Sequence, residues 1–463
     1  LLSQTLSAWR DQTLTGFRYL TVCSDDTVTG DRGSDEAVHA ADLSAPVTTD
    51  PREIADVLSS DTEEPLVIFA TYQSSHRIGA AQREFGASNV QLLLADESHR
   101  CATDRDSIFA YCLREDGIKA DRRLFMTATP RVFLPGAVDR ASASGLNVAS
   151  MDDEEVFGPV AYEMTLSDAI ERGLLVDYQV LVYAVTDPEL QRVVRQVQSS
   201  VSDGDHVASR LAVIHAMKQY DLRRIISFHN RVARAGDFAY GLQETLQDLP
   251  PQHRPSGEIS SELVAGFMPA SQRQQLLEQL RPSSDDRRVI LSNARCLTEG
   301  VDVPALDAVA FMDPRKSVVD VMQAIGRVLR VSPGKTTGYI FINVLVDDTG
   351  EMLQRSSFQR VVEILSALRS IDSTFEGELR RMYRASLDPA EPFDDSRISF
   401  VGLDARRLVP AVQSRLLKAV PLSWWTWHGL MRAYAAREGH AEPPNAQMEE
   451  GLPLGKWVSD QRT

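Results

Sequence analysis

Short apolar runs that end in polar residues recur along the chain. The clearest is the stretch 92–100, LLLADESHR, in which three leucines and an alanine are followed by Asp96, Glu97 and His99. Such a run is typical of a strand that is buried on both faces of a parallel sheet. Open α/β sheets bind ligands beyond the carboxyl ends of their strands. The stretch therefore predicts a buried strand with a ligand site at its end.

Strand-like and helix-like segments alternate around this stretch. The pattern predicts helices at 1–12, 50–58 and 76–85, and further strands at 17–25, 66–74 and 124–130. Asp50 and Pro51 supply an N-cap and a first-turn proline for the second helix. Because strands and helices alternate, the first part of the chain is predicted to form a doubly wound parallel sheet.

A second alternating unit follows the acidic run 152–155. Its predicted strands are 177–185, 224–230, 288–293, 308–313 and 338–346. Residues 351–385 have helical spacing, with one apolar face formed by Phe358, Val361, Val362, Leu365 and Leu368. Four of the five tryptophans lie after residue 419, so the composition of the last forty-odd residues differs from that of the rest. The expected units are 1–175, 176–348, a helical extension at 349–418, and 419–463.

Composition narrows the class of protein. Hydrophobic content of 43% and charged content of 25% are typical of a globular protein. No apolar run approaches the roughly 20 residues that span a bilayer, so no membrane role is expected. The four cysteines are scattered without a C-x-x-C pair, which fits neither a disulfide framework nor a zinc site and favours a reduced, cytoplasmic protein. The net charge of −16 means that any nucleic-acid contact must come from a local groove.

The polar strand ends carry the candidate chemistry. Two adjacent carboxylates, Asp96 and Glu97, suit phosphate chemistry, because one can hold hydrated Mg²⁺ while the other orients an attacking water. Arg327 and Arg330 are three residues apart, so on a helix they project from one face and can neutralise a phosphate.

Four short motifs carry a family resemblance when taken together. D-E-x-H at 96–99, T-A-T at 127–129, G-x-D-x-P at 300–304 and Q-x-x-G-R-x-x-R at 323–330 resemble superfamily 2 helicases and translocases of the DEAD/DEAH-box group. FGPVAY at 157–162 is similar to the branch that includes the motor subunits of restriction enzymes. The resemblance implies two RecA-like domains, ATP and Mg²⁺ as cofactors, and a nucleic-acid partner, with DNA expected.

The resemblance also implies roles for the first-domain residues. Asp96 would hold Mg²⁺ on the nucleotide through water, and Glu97 would position the hydrolytic water. His99, Thr127 and Thr129 would couple the nucleotide state to the second domain. The threonine hydroxyls have an alternative role, since hydroxyls also cap helices that follow strands.

In the second domain, Arg327 and Arg330 would act as catalytic arginines on the γ-phosphate. Gly300, Asp302 and Gln323 would help to bind the nucleotide. For the arginines the alternative is a solvated helix face or a salt bridge.

A third group would contact nucleic acid. Thr71, Gln73, Ser74 and Thr298 lie where this family grips the phosphates of one strand, and small polar groups suit sequence-independent contacts. Ordinary loop polarity is the alternative for these residues.

One expected motif is missing. No G-x-x-x-x-G-K-[ST] occurs in the 463 residues, and Gly334-Lys335-Thr336 is a decoy because position 329 is a leucine. Residues 1–12 resemble the segment that follows the phosphate loop in the family. The chain is therefore expected to be an N-terminally truncated fragment, inactive by itself, of an ATP-hydrolysing parent. The rival hypotheses are a duplex-DNA translocase with a nuclease or methyltransferase partner, and an ATP-independent nucleic-acid-binding fragment.

The stretch 427–463 resembles the helicase-associated domain, which is expected to be truncated here. Trp427, Tyr434, Gly439-His440, Leu454-Gly455 and Trp457 carry this likeness. Packing of a small core is the favoured role for the aromatic residues. Stacking on nucleic-acid bases is the alternative.

Overall fold

The structure is a computed structural model. It describes residues 2–23, 47–133, 145–184, 204–281, 286–294, 306–313, 318–344, 355–372, 374–388, 391–394 and 397–406, with scattered positions in 408–458. Its strands are β1 Arg18–Val22, β2 Val47–Thr48, β3 Leu66–Ala70, β4 Val90–Ala95, β5 Ala120–Phe125, β6 Asp177–Ala184, β7 Arg224–Phe228, β8 Glu258–Ala265, β9 Arg287–Ala294, β10 Ala308–Phe311, β11 Thr337–Val344 and β12 Ile398–Val401. Its helices are α1 Leu2–Gln12, α2 Pro51–Leu58, α3 His76–Glu84, α4 Glu154–Phe157, α5 Leu166–Glu171, α6 Gly204–Gln219, α7 Val232–Asp248, α8 Ala270–Glu278, α9 Val318–Val328, α10 Arg355–Ile371 and α11 Phe375–Leu387.

The first α/β unit contains two parallel sheets, ordered β2-β1-β3 and β4-β5. Helix α2 begins where the sequence predicts, because the Asp50 side chain accepts the N–H of Arg52 at 2.8 Å and proline occupies the first turn. Ile54 of α2 and Ile78 of α3 pack with Val22 of β1 in one core. The predicted alternation of strands and helices is confirmed in this unit.

Strand β4 is not buried on both faces, so that expectation was wrong. Leu92 and Leu94 are 51% and 39% exposed, and Leu124 of β5 is 40% exposed. Leu93 instead packs inward against the core. Alternate side chains of a strand point to opposite faces, and in the described part of the chain only one face of β4 and β5 is covered.

The second unit is a seven-stranded parallel sheet, ordered β12-β6-β11-β10-β7-β9-β8. Val180 and Val182 of β6 belong to one core cluster, whereas Leu181 and Tyr183 belong to another. Helices α9 and α10 cover the first face, and α6 and α7 cover the second. Since both faces are buried, the doubly wound sheet predicted from the apolar runs is confirmed.

Both edges of this sheet were missed by the sequence pattern. Strand β8 has one apolar side chain among its first five residues, and only its last three residues are buried, so it lacks the long apolar run of the central strands. Strand β12 lies in the stretch expected to be a helical extension and pairs with β6 through Ile398 and Val180. The helical part of that stretch is present as α10 and α11. Val361, Leu365 and Leu368 of α10 are fully buried, as their spacing predicted.

Among the described residues, no helix is both long enough and apolar enough to cross a membrane.

Candidate functional site

The acidic motif forms a tight turn at the end of β4. Glu97 has φ of 51° and ψ of 41°, a left-handed conformation that is strained for a residue with a side chain. Its N–H donates to Asp96 Oδ1 at 2.9 Å. The backbone of Met126 spans the turn, because Met126 N donates to Ala95 O at 2.8 Å and Ser98 N donates to Met126 O at 2.9 Å. The turn is thus held in place from both sides.

His99 brings the acidic motif and the T-A-T motif together. Its Nδ1 lies 3.3 Å from Glu97 Oε2, 3.0 Å from Thr127 Oγ1 and 3.2 Å from Thr129 Oγ1. His99 and Thr129 are both buried, at 8% and 7% exposed. One ring nitrogen cannot bond fully to three partners at once, so these are competing hydrogen bonds. His99 can therefore bond either to the carboxylate of Glu97 or to the hydroxyls of Thr127 and Thr129.

Strand β5 ends at Phe125, earlier than its predicted limit of 130. As a result Thr127 and Thr129 lie in the loop beyond the strand, where Thr129 N donates to Thr127 Oγ1 at 3.0 Å.

The two carboxylates have opposite electrostatic surroundings. The hydrogen bond with His99 lowers the pKa of Glu97 against the effect of burial, with further help from Arg100 and Gln323. Burial raises the pKa of Asp96, although the hydrogen bond from the N–H of Glu97 opposes this. Glu97 is therefore ionised at neutral pH and can accept a proton or a hydrogen bond.

A side chain from the second unit reaches this turn. Gln323 of α9 donates from Nε2 to Glu97 Oε1 at 3.5 Å, although the two residues are 226 positions apart. Arg327 lies one turn further along the same helix and is buried, at 7% exposed. Residues four apart share one helix face, so Gln323 and Arg327 are on the side that meets the acidic turn.

Arg330 does not lie on that helix, so the expected shared face of Arg327 and Arg330 was wrong. Helix α9 ends at Val328, and the backbone of Arg330 forms an antiparallel bridge with Leu175. Lys335 Nζ donates to Val328 O at 2.5 Å and to Arg330 O at 3.1 Å. An ammonium group at the carbonyl end of a helix satisfies groups that otherwise have no partner there. Because the helix ends at Val328, the three-residue spacing of Arg327 and Arg330 does not place the two side chains on one helix face.

The expected nucleic-acid residues lie in a turn after β3. Thr71 Oγ1 accepts from Ser74 N at 3.3 Å, and Ser74 is 2% exposed, so both also stabilise the turn. Gln73 accepts through its backbone oxygen from His76 Nδ1 at 2.8 Å. Thr298, Gly300 and Asp302 fall in 295–305, outside the described residues.

Sequence reasoning placed Tyr72 in the polar stretch after β3 but gave it no role. Its hydroxyl donates to the backbone oxygen of Asp96 at 2.5 Å, which joins the turn after β3 to the acidic turn. A tyrosine among small polar residues was the available signal.

The donor set of the acidic turn fits Mg²⁺. The described residues contain no cluster of three or more metal-ligating side chains. Magnesium is usually held by one or two carboxylates, with water and substrate phosphates completing its shell, and Asp96 with Glu97 matches that pattern.

The described positions near the C-terminus form a small packed core. Tyr434 is 4% exposed and Leu454 is fully buried, while His440 packs edge-on against Tyr434. A Cβ on Gly455 would lie 1.7 Å from Pro444 O, so this close approach requires glycine. These contacts favour core packing for Tyr434. Trp427, Gly439 and Trp457 lie outside the described residues.

Comparison with known families agrees with these features. Residues 208–332 match the helicase conserved C-terminal domain, and residues 421–463 match the helicase associated domain. A relative named "Probable helicase A859L" from African swine fever virus (isolate Tick/South Africa/Pretoriuskop Pr4/1996) is 28% identical over 348 residues, which are 74% of this chain and 34% of the relative. Its counterpart from strain Badajoz 1971 Vero-adapted is 28% identical over the same shares.

Solved structures share the fold. The ATP-dependent Type ISP restriction-modification enzyme LlaBIII bound to DNA aligns with a TM-score of 0.72 and 25% identity, covering 96% of this chain and 31% of that one. A nuclease-deletion mutant of the Type ISP enzyme LlaGI with a DNA substrate mimic aligns with a TM-score of 0.56 and 24% identity, covering 94% and 28%. This chain therefore spans about a third of the proteins it resembles.

Two parallel α/β units, in contact through Gln323 of α9 and Glu97 of the acidic turn, form a RecA-like fold. The chain contains regions that match the helicase conserved C-terminal domain and the helicase associated domain, and it is similar to a probable helicase and to Type ISP restriction-modification enzymes.

Proposed function

We propose that this chain is the motor core of an ATP- and Mg²⁺-dependent translocase or helicase that acts on DNA. The contact between Gln323 Nε2 and Glu97 Oε1 is the observation that carries the proposal. It links the second unit to the acidic turn, so a change at the turn can alter how the two units sit together. Such a link is what coupling of hydrolysis to movement requires.

Each site residue has a proposed role. Asp96 holds Mg²⁺ through water, and the ionised Glu97 takes up the proton of the attacking water. Arg327 and Arg330 neutralise charge on the γ-phosphate, with Gln323, Gly300 and Asp302 lining the nucleotide.

Two further groups of residues are proposed to couple the nucleotide state to movement and to contact the nucleic-acid strand. His99 exchanges its hydrogen bond between Glu97 and the threonines at 127 and 129. Thr71, Gln73, Ser74 and Thr298 contact the nucleic-acid backbone. We also propose domain limits of 1–175, 176–348, 349–418 and 419–463.

DNA is the proposed substrate because both Type ISP structures were obtained with DNA or a DNA mimic. Their likeness also favours a second candidate, a motor that moves along duplex DNA without separating its strands and works with a nuclease or methyltransferase. A triplex-displacement assay beside a strand-displacement assay separates the two candidates. Displacement of the triplex strand alone supports the duplex translocase.

Phosphate binding requires a further element. A phosphate loop uses backbone N–H groups and a lysine, and the 463 residues contain no such motif. We propose that the 463-residue chain alone does not hydrolyse ATP, whereas the full gene product does. Phosphate release is measured from both, with and without DNA. Robust Mg²⁺-dependent turnover by the 463-residue chain would contradict this proposal.

The acidic pair provides the central test in the full gene product. Glu97→Gln keeps the shape of the side chain but removes the base, so we expect ATP and DNA binding without turnover. Asp96→Asn is expected to weaken Mg²⁺-dependent nucleotide binding itself. Glu115→Gln, at an exposed carboxylate, is the matched control and should leave turnover unchanged. Normal hydrolysis by both site variants would overturn the proposed role of the acidic turn.

A further inference from the structure

Two cysteines that belong to no sequence motif lie in contact beneath the acidic turn. The Sγ atoms of Cys101 and Cys112 are 3.3 Å apart, and the residues are 0% and 4% exposed. A disulfide has an S–S distance of ~2.05 Å, so the two sulfurs need to approach by little more than 1 Å, about the size of a side-chain adjustment. The scatter of cysteines along the sequence does not predict this approach.

The position of the pair connects it to the proposed catalytic turn. Cys101 directly follows the 3₁₀ helix Ser98–Arg100, which carries His99, and its N–H donates to Ser98 O at 2.9 Å. Cys112 lies on a second 3₁₀ helix, Ile108–Leu113, which Arg123 Nε holds through Cys112 O at 3.3 Å. Both cysteines pack against Ala95, the last residue of β4. A bond between them would tie the turn to a separate segment.

The two thiols have unequal surroundings. The hydrogen bond with Cys112, together with the charge of Arg100, lowers the pKa of Cys101 against the effect of burial. The hydrogen bond with Cys101 and burial raise the pKa of Cys112. Of the two thiols, Cys101 is therefore the one that ionises more readily, and disulfide formation needs one such thiolate beside a thiol.

We propose that Cys101 and Cys112 form a peroxide-responsive dithiol, and that its oxidation to a disulfide immobilises the acidic turn. The thiolate of Cys101 attacks hydrogen peroxide and breaks the O–O bond, giving a sulfenic acid and hydroxide. The Cys112 sulfur then displaces water from the sulfenic acid and forms the S–S bond. In total two thiols and one peroxide give one disulfide and two waters, with two electrons passing to the peroxide. A small dithiol reverses the reaction by exchange.

The effect on activity rests on the proposed function. His99 lies two residues before Cys101 and must exchange its hydrogen bond between Glu97 and the threonines for the turn to report the nucleotide state. A covalent link two residues away restricts that exchange. The oxidised protein is therefore the slow form of the motor. In a reducing compartment such a bond is transient, which suits a reversible redox response rather than a structural disulfide.

Peptide mapping tests the bond independently of ATP hydrolysis. The full chain is treated with hydrogen peroxide, alkylated without reductant and cut with trypsin, which releases Cys101 in the peptide 101–105 and Cys112 in the peptide 106–114. We expect these two peptides linked, and separated again by dithiothreitol. Cys23→Ser is the matched control, because Cys23 is buried in a different cluster and should leave the link intact. Unlinked peptides, with either both thiols intact or each oxidised separately, would overturn the proposal.

Amide exchange and turnover test the consequence. Backbone exchange at 97–101 should slow on oxidation in the wild-type chain, but not in Cys101→Ala or Cys112→Ala. Unchanged exchange in a chain that carries the bond would overturn immobilisation. In the full gene product, oxidation should remove most phosphate release and dithiothreitol should restore it. An oxidised protein with full turnover would contradict the regulatory effect. Absence of turnover before oxidation would instead count against the proposed function, while the mapping and exchange results still decide the dithiol.

Discussion

At the scale of single residues, Lys335 shows how a phosphate-loop-like sequence can serve a helix end. Its ammonium group donates to the carbonyls of Val328 and Arg330. Burial lowers the pKa of Lys335 to about 8, which the charge of Asp307 only partly offsets. Strand β11 begins at Thr337, so Gly334-Lys335-Thr336 does not precede a helix that could hold a phosphate, and Lys335 instead caps the end of α9.

Replacing Lys335 with methionine tests this role. We expect a loss of about 1 kcal/mol at pH 7, because hydrogen bonds from a charged donor are lost while the cost of burying that charge disappears. The unfolded lysine titrates near 10.5 and the folded one near 8, so between these values the unfolded state binds more protons. The wild-type advantage should therefore grow as pH rises from 8 to 10.5. Urea unfolding measures it, with the exposed Lys119→Met as control. An advantage that shrinks over this range would contradict the assignment.

At the scale of elements, the exposed apolar face of β4 and β5 is expected to promote aggregation of the chain. Leu92, Leu94 and Leu124 are each at least 39% exposed on neighbouring parallel strands. Contiguous apolar surface on a short sheet promotes association between copies.

We expect Leu92→Lys with Leu94→Lys to reduce aggregation while changing the free energy of unfolding by less than about 0.5 kcal/mol per site. Light scattering and urea unfolding provide the two measurements. The control is Leu93→Lys on the same strand, which points inward and should destabilise the chain by more than about 2 kcal/mol. Equal behaviour of the double variant and the Leu93→Lys control would show that the face is not exposed.

A second element-scale feature joins the helical extension to the large sheet. Asp372, at the end of α10 and 1% exposed, accepts from Tyr178 Oη at 2.6 Å and from Ser167 Oγ at 3.0 Å. Burial acts to raise the pKa of Asp372, but hydrogen bonds from Tyr178 and Thr374 outweigh it and leave the pKa below its usual value. The carboxylate thus links three segments that are distant in sequence.

Tyr178→Phe should cost about 1–2 kcal/mol, because it removes one donor to a buried charge. Asp372→Ala should cost about 3 kcal/mol, since it also leaves Arg397 without one of its carboxylates. Chemical denaturation measures both, and Tyr240→Phe at a 64% exposed site is the control. Losses below about 0.5 kcal/mol for both variants would show that the extension is held by apolar packing alone.

At the scale of the whole molecule, the proposed activity depends on side chains from both units meeting. Arg327→Ala or Arg330→Ala in the full gene product should lower nucleic-acid-stimulated hydrolysis by about 10³-fold or more while preserving ATP binding. Phosphate release and nucleotide-binding titrations measure the two effects. Arg381→Ala, at a 70% exposed side chain on α11, is the control. Turnover within a few-fold of the wild type would show that the two arginines are structural.

Much of the fold and part of the site follow from local sequence chemistry. The Asp50-Pro51 pair determines where α2 begins, because the N-cap and the first-turn proline act within one turn of helix. The buried face of α10 follows from its spacing. His99 and Thr127 meet because polar residues that end adjacent parallel strands share one edge of the sheet.

Other features depended on contacts between distant segments, which a local pattern does not contain. The run at 92–94 is apolar whether or not a layer covers it, so only the packed structure exposes Leu92. The Q-x-x-G-R-x-x-R spacing is compatible with a longer helix, and α9 stops at Val328 where Lys335 folds back to its last carbonyls. Cys101 and Cys112 meet only because two 3₁₀ helices pack beneath β4. Periodicity and spacing describe one element at a time, whereas exposure, helix ends and thiol pairs are set by which elements pack together.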